Sequence, residues 1–183
     1  MALSLVGALV LFGAVGLFWP VGNRSASGTG TTVPASIFTT GKAGPARGFT
    51  LPVLGQASRT VSLADFAGRP LVINFWSSTC GPCKAEMPAL ESVYRSMGGR
   101  VAFLGVDTGD SQADAVAFAR SKGVTYPSGF DPSTSVATSY DLYGLPHTVF
   151  ISPTGQILES HTGPLDVSGL TSSIHRLFPL LRP

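Results

Sequence analysis

The chain has 183 residues, of which 44% are hydrophobic and 12% charged, and its net charge at pH 7 is +2. This charge is too small, and its lysines and arginines are too scattered, for a nucleic-acid-binding protein, so we expect no nucleic-acid partner. The length suits one domain with an appendage, and the two cysteines exclude a disulfide-stapled scaffold because they make a single possible pair.

The N-terminus carries an uncharged apolar run, residues 2–19, in which Ser4 is the only polar residue. As a helix this run would span about 27 Å, close to the hydrocarbon thickness of a bilayer. It is apolar on all sides, unlike a core helix of a globular protein. We therefore predict that residues 1–20 form a transmembrane anchor or a signal segment. Pro20 ends the run sharply, yet Ser25-Ala26-Ser27 is a possible cleavage site, so both interpretations stay open.

A linker and then a compact domain are predicted after the apolar run. Residues 21–45 are rich in Gly, Ser, Thr and Pro and show no hydrophobic period, which is typical of a flexible linker. The domain is expected to cover residues 46–183, because strand and helix patterns alternate from there.

The domain begins with two short strand patterns, residues 49–54 and 60–63, on either side of a turn at Gly55. The next elements are a buried strand at 70–76, a helix from Cys80 to Met97, a buried strand at 100–106, a helix from Asp110 or Ser111 to Lys122, and a helical stretch from Asp131 to about Tyr143. A hairpin at 147–152 and 156–162 and a helix from Asp166 to about Phe178 complete the pattern. This order predicts an α/β sandwich with parallel central strands and an antiparallel hairpin.

The motif Cys80-Gly81-Pro82-Cys83 lies where the buried strand ends and the helix begins. The free N–H groups and the dipole of a helix N-terminus favour a thiolate over a thiol. Two intervening residues let the sulfurs close a disulfide within the first turn, and Pro82 suits an early helical position because its missing N–H would be unpaired there. We predict that Cys80 is the exposed attacking thiolate and Cys83 the buried resolving thiol.

Two alternatives to redox chemistry need to be weighed. If the two cysteines formed half of a zinc site, two further ligands would be needed. The remaining nitrogen donors are His147, His161 and His175, and no two of them have the spacing that zinc ligands usually show. A purely structural disulfide would gain little stability from so short a loop. The residues therefore favour a redox-active Cys80–Cys83 disulfide, and we expect neither a metal nor an organic cofactor.

The segment Asn74-Phe75-Trp76, the motif that follows it, and then Glu86 and Pro88 resemble the TlpA/ResA/CcmG group of thioredoxin-like proteins. The resemblance runs from about Gly48 to the C-terminus. It implies a three-layer thioredoxin-like sandwich with a central mixed sheet, an N-terminal hairpin and an inserted helix–strand–helix at about 109–143. It also implies that Pro146 is a cis-proline that packs against the disulfide and keeps metal ions away, and that the backbone of Leu145 pairs with a substrate strand.

The resemblance implies a substrate-binding surface around the cysteines. The residues expected there are Trp76, Thr79, Gly81, Pro82, Leu145, Pro146 and His147. Thr79 stands where the group usually has Trp, so this surface departs from the usual pattern. His147 stands where Thr is common; it would hydrogen-bond a substrate or tune Cys80, or it is simply a strand residue that faces solvent.

Glu86 is the candidate proton acceptor for Cys83. It follows Cys83 by three residues, which places both on one face of a helix. Thioredoxin carries a buried Asp six residues before its first active-site cysteine, whereas this chain has Asn74 there, and the resemblance assigns the proton-accepting role to Glu86. The alternative is a surface glutamate paired with Arg95 or Lys84.

Together these features predict an extracytoplasmic thiol-disulfide oxidoreductase that reduces disulfides of partner proteins, such as an apocytochrome c or a copper-site protein. We expect a monomer on the bacterial cell membrane that is recharged by a membrane electron donor of the CcdA/DsbD kind, or a secreted protein if the N-terminal segment is cleaved. Arg24 follows the apolar run and favours a cytoplasmic domain. The resemblance and the persistence of disulfides outside the cytoplasm favour the exterior, which we adopt.

Other functions stay open at this point. The same dithiol would act as an oxidant that forms disulfides if its reduced form were stabilised. Alternatively, Cys80, Cys83 and His147 would serve as soft ligands of a Cu(I)-handling protein. A peroxiredoxin-like peroxidase is disfavoured by the adjacent resolving cysteine and the missing peroxidatic-loop pattern.

Overall fold

A computed structural model describes residues 44–181. The predicted anchor at 1–20 and nearly all of the predicted linker lie outside the described residues. Among the helices that are described, none combines the length and apolar character needed to cross a membrane.

The described chain contains eight strands and four α-helices. The strands are β1 (Gly44–Pro45), β2 (Thr50–Val53), β3 (Gln56–Ser62), β4 (Leu71–Trp76), β5 (Ala102–Thr108), β6 (Ser128–Asp131), β7 (His147–Ile151) and β8 (Gln156–Thr162). The helices are α1 (Gly81–Met97), α2 (Gln112–Ser121), α3 (Ser135–Ser139) and α4 (Val167–Leu177), with short 3₁₀ turns at Leu63–Phe66 and Pro179–Leu181.

The strands form one mixed sheet in the order β1-β8-β7-β4-β5-β6-β2-β3. β4 runs parallel to β5, and β5 runs parallel to β6. β7 is antiparallel to both β4 and β8, and β2 pairs with β3 as an N-terminal hairpin. The predicted parallel centre and antiparallel hairpin are therefore confirmed.

The helices cover both faces of the sheet, and this makes three layers. On one face, Leu90 of α1 and Ile174 of α4 pack with Val72 of β4, and α2 contributes Ala115 and Phe118 beside Trp76. On the other face, α3 packs against alternate residues of the central strands, which include Ile73, Phe75, Leu104, Val106, Val149 and Ile151. β4 is buried along its whole length because both of its faces are covered.

Two predicted boundaries were wrong. The expected helix from Asp131 to Tyr143 is instead the end of a strand, β6, followed by a helix that occupies only Ser135–Ser139. Asp131 is fully buried, and its carboxylate accepts hydrogen bonds from the backbone N–H groups of Ser135, Val136 and Ala137. An Asp side chain that caps a helix from several residues upstream looks, in sequence, like the first residue of that helix. At the N-terminus, Gly44–Pro45, predicted to be linker, pairs with β8.

The topology brings four segments to one edge of the sheet. Parallel strands end at the same edge, so the segments after Trp76 of β4, Thr108 of β5 and Asp131 of β6 meet there. β7 runs the other way and begins at this edge with His147, directly after the loop that contains Pro146. The cysteine motif, the β5–α2 loop and the loop before β7 therefore share one end of the domain.

Candidate active site

The two cysteines are joined by a disulfide with an S–S distance of 2.04 Å at the N-terminus of α1. Cys80 is the N-cap residue of this helix, and its sulfur accepts a hydrogen bond of 3.1 Å from the backbone N–H of Cys83. Cys83 is 0% exposed, whereas Cys80 is half-buried. Cys80 is therefore the sulfur that a partner molecule can reach.

The position of Cys80 at a helix N-cap has a direct chemical consequence. In the reduced protein the N–H of Cys83 and the positive end of the helix dipole would stabilise a negative charge on the Cys80 sulfur. Gly81 and Pro82 form the exposed start of the helix, where neither leaves a backbone donor buried without a partner. The local sequence thus produces an accessible sulfur whose thiolate form is favoured.

Glu86 lies one turn further along α1 and is only 1% exposed. Its carboxylate accepts hydrogen bonds of 2.9 Å from the Asn74 side-chain amide and of 2.9 Å from the backbone N–H of Leu165. Burial raises the pKa of Glu86 to about 7, although these two hydrogen bonds oppose the rise. The alternative of a surface glutamate paired with Arg95 or Lys84 is wrong, because Glu86 is buried and Arg95 binds Glu91 at 2.6 Å instead.

Asn74 connects Glu86 to the sheet. Its amide nitrogen donates to Glu86 and also to the Thr148 hydroxyl at 3.1 Å, and Thr148 is its register partner on β7. Glu86 is thereby held between α1, the central strand β4 and the loop that precedes α4. This arrangement fixes a carboxyl group of near-neutral pKa in the interior, on the helix face that carries Cys83.

The peptide bond between Leu145 and Pro146 is cis, as the family resemblance implies. Pro146 is buried, and Leu145 is half-buried. Leu145 and Cys80 pack against the same apolar cluster, which is made of Trp76, Cys83, Met87, Ala115 and Phe118. The loop before β7 therefore lies beside the disulfide, although the two segments are more than sixty residues apart in the chain.

Besides Leu145 and Pro146, the other five predicted substrate-binding residues divide into two groups by their exposure. Thr79, Gly81 and Pro82 are exposed beside Cys80. By contrast, Trp76 is 0% exposed and His147 is 1% exposed, so neither side chain presents a surface to a partner in this structure. The apolar pattern of β4 and the start of β7 places these two residues inside the sheet sandwich.

His147 is held in the interior by a hydrogen bond of 2.8 Å between its Nδ1 atom and the Thr162 hydroxyl. Burial, with a smaller contribution from His161, lowers the pKa of His147 to about 4, so the ring is neutral near pH 7. In the described part of the chain no three His, Cys, Asp or Glu side chains are grouped so as to hold a metal ion. The copper alternative, which needs Cys80, Cys83 and His147 together, receives no support from this geometry.

Three residues in the strand end and the loops at this edge of the sheet did not appear among the predicted site residues. Asp107, the penultimate residue of β5, is 0% exposed, and Asp110 accepts a hydrogen bond from the backbone N–H of Ser78. Tyr143, three residues before Pro146, is 84% exposed. Asp107 could have been found from the sequence, because it is an acidic residue directly after the apolar pattern of a buried strand. That strand is the next one in the chain after the strand that leads to the cysteines.

A family model described as the AhpC/TSA family matches residues 42–160 of this chain. The thiol-disulfide oxidoreductase ResA of Bacillus subtilis is 31% identical over 126 residues, which are 68% of this chain and 68% of ResA. The thiol:disulfide interchange protein DsbE of Allochromatium vinosum is 30% identical over 123 residues, which are 67% of each chain.

A comparison of structures finds the same fold. The crystal structure of a DsbF homologue from Corynebacterium diphtheriae superposes with a TM-score of 0.69 at 23% identity, over 78% of this chain and 95% of that one. At this level of identity the match shows a shared thioredoxin-like architecture.

Proposed function

The chain belongs to the AhpC/TSA family and is a protein thiol-disulfide oxidoreductase, and we propose that it reduces disulfide bonds of partner proteins outside the cytoplasmic membrane. The observation that carries this proposal is the pairing of a reachable Cys80 sulfur at a helix N-cap with a fully buried Cys83. One sulfur can attack a partner, and the other is placed to complete the exchange from within.

The reaction consists of two thiol–disulfide exchanges. The Cys80 thiolate attacks one sulfur of a substrate disulfide, which forms a mixed disulfide and releases the other substrate sulfur as a thiolate. The Cys83 thiolate then attacks the Cys80 sulfur, which closes the Cys80–Cys83 disulfide and releases the second substrate thiol. Two electrons pass to the substrate, and Glu86 accepts the proton that Cys83 loses.

The proposed direction of electron flow rests on the residues between the cysteines. Gly81-Pro82 is the dipeptide of reducing, thioredoxin-like members of the superfamily that the sequence resembles. An apocytochrome c or a copper-site protein is the substrate class that we propose. Because each turnover leaves the cysteines oxidised, a membrane donor of the CcdA/DsbD kind would return two electrons. The chemistry uses the dithiol alone, with no metal or organic cofactor.

The proposed location follows from the same chemistry. A thiol reductant with a buried resolving cysteine is useful where disulfides persist, namely outside the cytoplasm. Residues 1–20 would hold the domain at the membrane as a single-pass anchor, or direct its secretion if they are cleaved, and the domain would act as a monomer.

A reduction potential measured against glutathione, together with insulin-reduction and oxidative-refolding assays, tests the direction of the reaction. We expect rapid insulin reduction and a potential near that of thioredoxin, about −270 mV. A potential near −120 mV with efficient refolding would establish the oxidant alternative instead. Consumption of hydrogen peroxide at a rate comparable to insulin reduction would point to a peroxidase.

Trapping of a mixed disulfide tests the roles of the two sulfurs. Cys83→Ser is expected to accumulate a covalent complex with a disulfide substrate, whereas Cys80→Ser should form none, because its remaining thiol is buried. The complex is detected by mass spectrometry of non-reduced samples. Equal trapping by both variants would contradict the assignment.

A further inference from the structure

A second buried carboxyl group, Asp107, stands next to the strand that leads to Cys80. It is the register partner of Trp76, the last residue of β4, so it lies beside the point where the chain leaves the sheet toward the cysteines. The side chain is 0% exposed, and neither of its oxygens meets a hydrogen-bond donor among the residues that the structure describes. A buried carboxylate without a donor is costly, which favours the protonated form.

Asp110, in the loop between β5 and α2, lies within hydrogen-bonding reach of Asp107. Two carboxyl groups can share a hydrogen bond only when one of them carries a proton. Burial, the contact with Asp110 and the negative charges of Asp110 and Asp131 raise the pKa of Asp107 to about 8. A pKa of about 8 would keep the proton on Asp107 at neutral pH, where its O–H can donate to Asp110.

Three other acidic side chains on the surrounding elements have hydrogen-bond partners of their own. Asp131 of β6 is bonded to the N-terminus of α3. Asp114 of α2 is exposed and accepts a hydrogen bond from Ser111, and Glu86 of α1 is bonded to Asn74 and Leu165. The contact between Asp107 and Asp110 is thus distinct from each of these.

Asp110 also holds the turn that carries Cys80. Its carboxylate accepts a hydrogen bond from the backbone N–H of Ser78. Within the same turn the N–H of Cys80 donates to the carbonyl of Ser77 at 3.2 Å, and the Ser77 and Thr79 hydroxyls lie 3.0 Å apart. The carboxyl pair therefore connects the interior of the sheet to the turn at residues 77–80.

We propose that Asp107 and Asp110 share one proton and act as positioning residues, which hold the turn at residues 77–80 and thereby set the reactivity of Cys80. Neither residue touches the substrate; both act through Ser78. Loss of the shared proton adds a second negative charge behind the turn, and a negative charge near a thiol disfavours its thiolate form. The inference rests on Cys80 as the attacking thiol of the proposed function.

The test is the rate at which iodoacetamide alkylates Cys80 in the reduced, full-length protein, followed from about pH 5 to about pH 10 by mass spectrometry of the peptide that contains it. In the wild type we expect the ionisation of Cys80 and a second inflection near pH 8 that comes from Asp107. Asp107→Asn should abolish the second inflection. Asp110→Asn should move it to lower pH, because Asp107 then loses a neighbouring negative charge.

Matched variants separate the ionisation of Asp107 from that of other acidic residues and from loss of the hydrogen bond to Ser78. Asp114→Asn removes an exposed acid from the first turn of α2, and Glu86→Gln removes the other buried acid with a raised pKa; both should keep the inflection near pH 8. Asp110→Ala and Asp110→Asn both remove one negative charge, but only Asp110→Ala also deprives the Ser78 N–H of its acceptor. Asp110→Ala should therefore be alkylated about tenfold more slowly than Asp110→Asn at neutral pH.

Two results would overturn the proposal: an inflection near pH 8 that stays unchanged in either Asp107→Asn or Asp110→Asn, or equal alkylation rates in Asp110→Ala and Asp110→Asn. Circular dichroism identifies any variant that fails to fold, and either asparagine variant alone decides the pH result. Alkylation needs no partner protein, so a negative result in the alkylation test would not affect the proposed reducing function. Conversely, a lack of insulin reduction would not affect the proposal for the carboxyl pair.

Discussion

The Asn74 side-chain amide donates a hydrogen bond of 2.9 Å to the Glu86 carboxylate. Asn74 lies in the middle of the central strand and Glu86 in the second turn of α1, and both are buried. This contact places the proposed proton acceptor of Cys83 in the interior and favours its ionised form against the effect of burial.

Glu86→Gln is expected to slow the resolution of a mixed disulfide at pH 7.5 by about 10² or more, because the Cys83 thiol loses its proton acceptor. The pKa of Glu86 is about 7, so the wild-type rate should rise as pH increases through that value and the carboxyl becomes a base. Stopped-flow measurement of the resolving step gives the profile. An inflection near pH 7 that persists in Glu86→Gln would exclude Glu86.

Asn74→Ala is expected to raise the pKa of Glu86, because a hydrogen bond to the ionised carboxylate is lost. The inflection near pH 7 in the resolving step should therefore move upward. Thr148→Val serves as the control, since Thr148 touches Asn74 but does not itself donate to Glu86. An inflection that stays in place in Asn74→Ala would show that this hydrogen bond has little effect on the proton acceptor.

Asp107→Asn is expected to make stability less dependent on pH. The pKa of the folded-state carboxyl is raised from 3.8 to about 8, so its contribution to stability is complete below about pH 4 and is lost as pH rises toward 8. The difference in Tm between Asp107→Asn and the wild type should therefore grow in favour of the variant over this interval. Thermal unfolding at several pH values measures it, with Asp114→Asn as the exposed control; a constant difference would contradict the raised pKa.

Asp131→Ala is expected to destabilise the domain by about 3 kcal/mol. Its buried carboxylate accepts hydrogen bonds from three backbone N–H groups at the start of α3, and two of them, those of Val136 and Ala137, would be left in the interior without an acceptor. Urea unfolding measures the loss. Asp114→Ala, which removes an exposed acid, should cost less than about 1 kcal/mol, and equal losses would argue against the capping role.

Gly105→Ala is expected to destabilise the domain by about 1–3 kcal/mol. A Cβ atom at this position would lie 2.6 Å from the Ser128 hydroxyl and 2.9 Å from the Trp76 indole nitrogen, so the tightly packed strands would have to shift. Gly48→Ala is the matched control because no atom beyond Gly48 and its two chain neighbours lies within 4 Å of its Cβ position. The two variants are compared by urea unfolding, and similar values would contradict the packing argument.

Several features were predictable from the sequence because their signals are local. Burial of β4 follows from its continuous apolar run, and the end of α1 follows from the Gly98-Gly99 pair. The cap of α4, Asp166, was recognised from a polar residue ahead of a helical pattern, and for α2 the same signal left Asp110 and Ser111 as candidates, of which Ser111 is the cap.

The sequence of residues 77–83 by itself determined that the two cysteines form a redox pair at a helix N-terminus. It also determined which sulfur partners can reach, because a helix N-cap is built from a few consecutive residues. Only the tertiary structure decided which groups surround those sulfurs. Leu165 reaches Glu86 across 79 positions of the chain, and Asp110 reaches Ser78 across 32. Such contacts depend on which strand ends and loops the sheet brings to one edge. Burial raises the pKa of Glu86, and burial together with the neighbouring carboxylates Asp110 and Asp131 raises the pKa of Asp107.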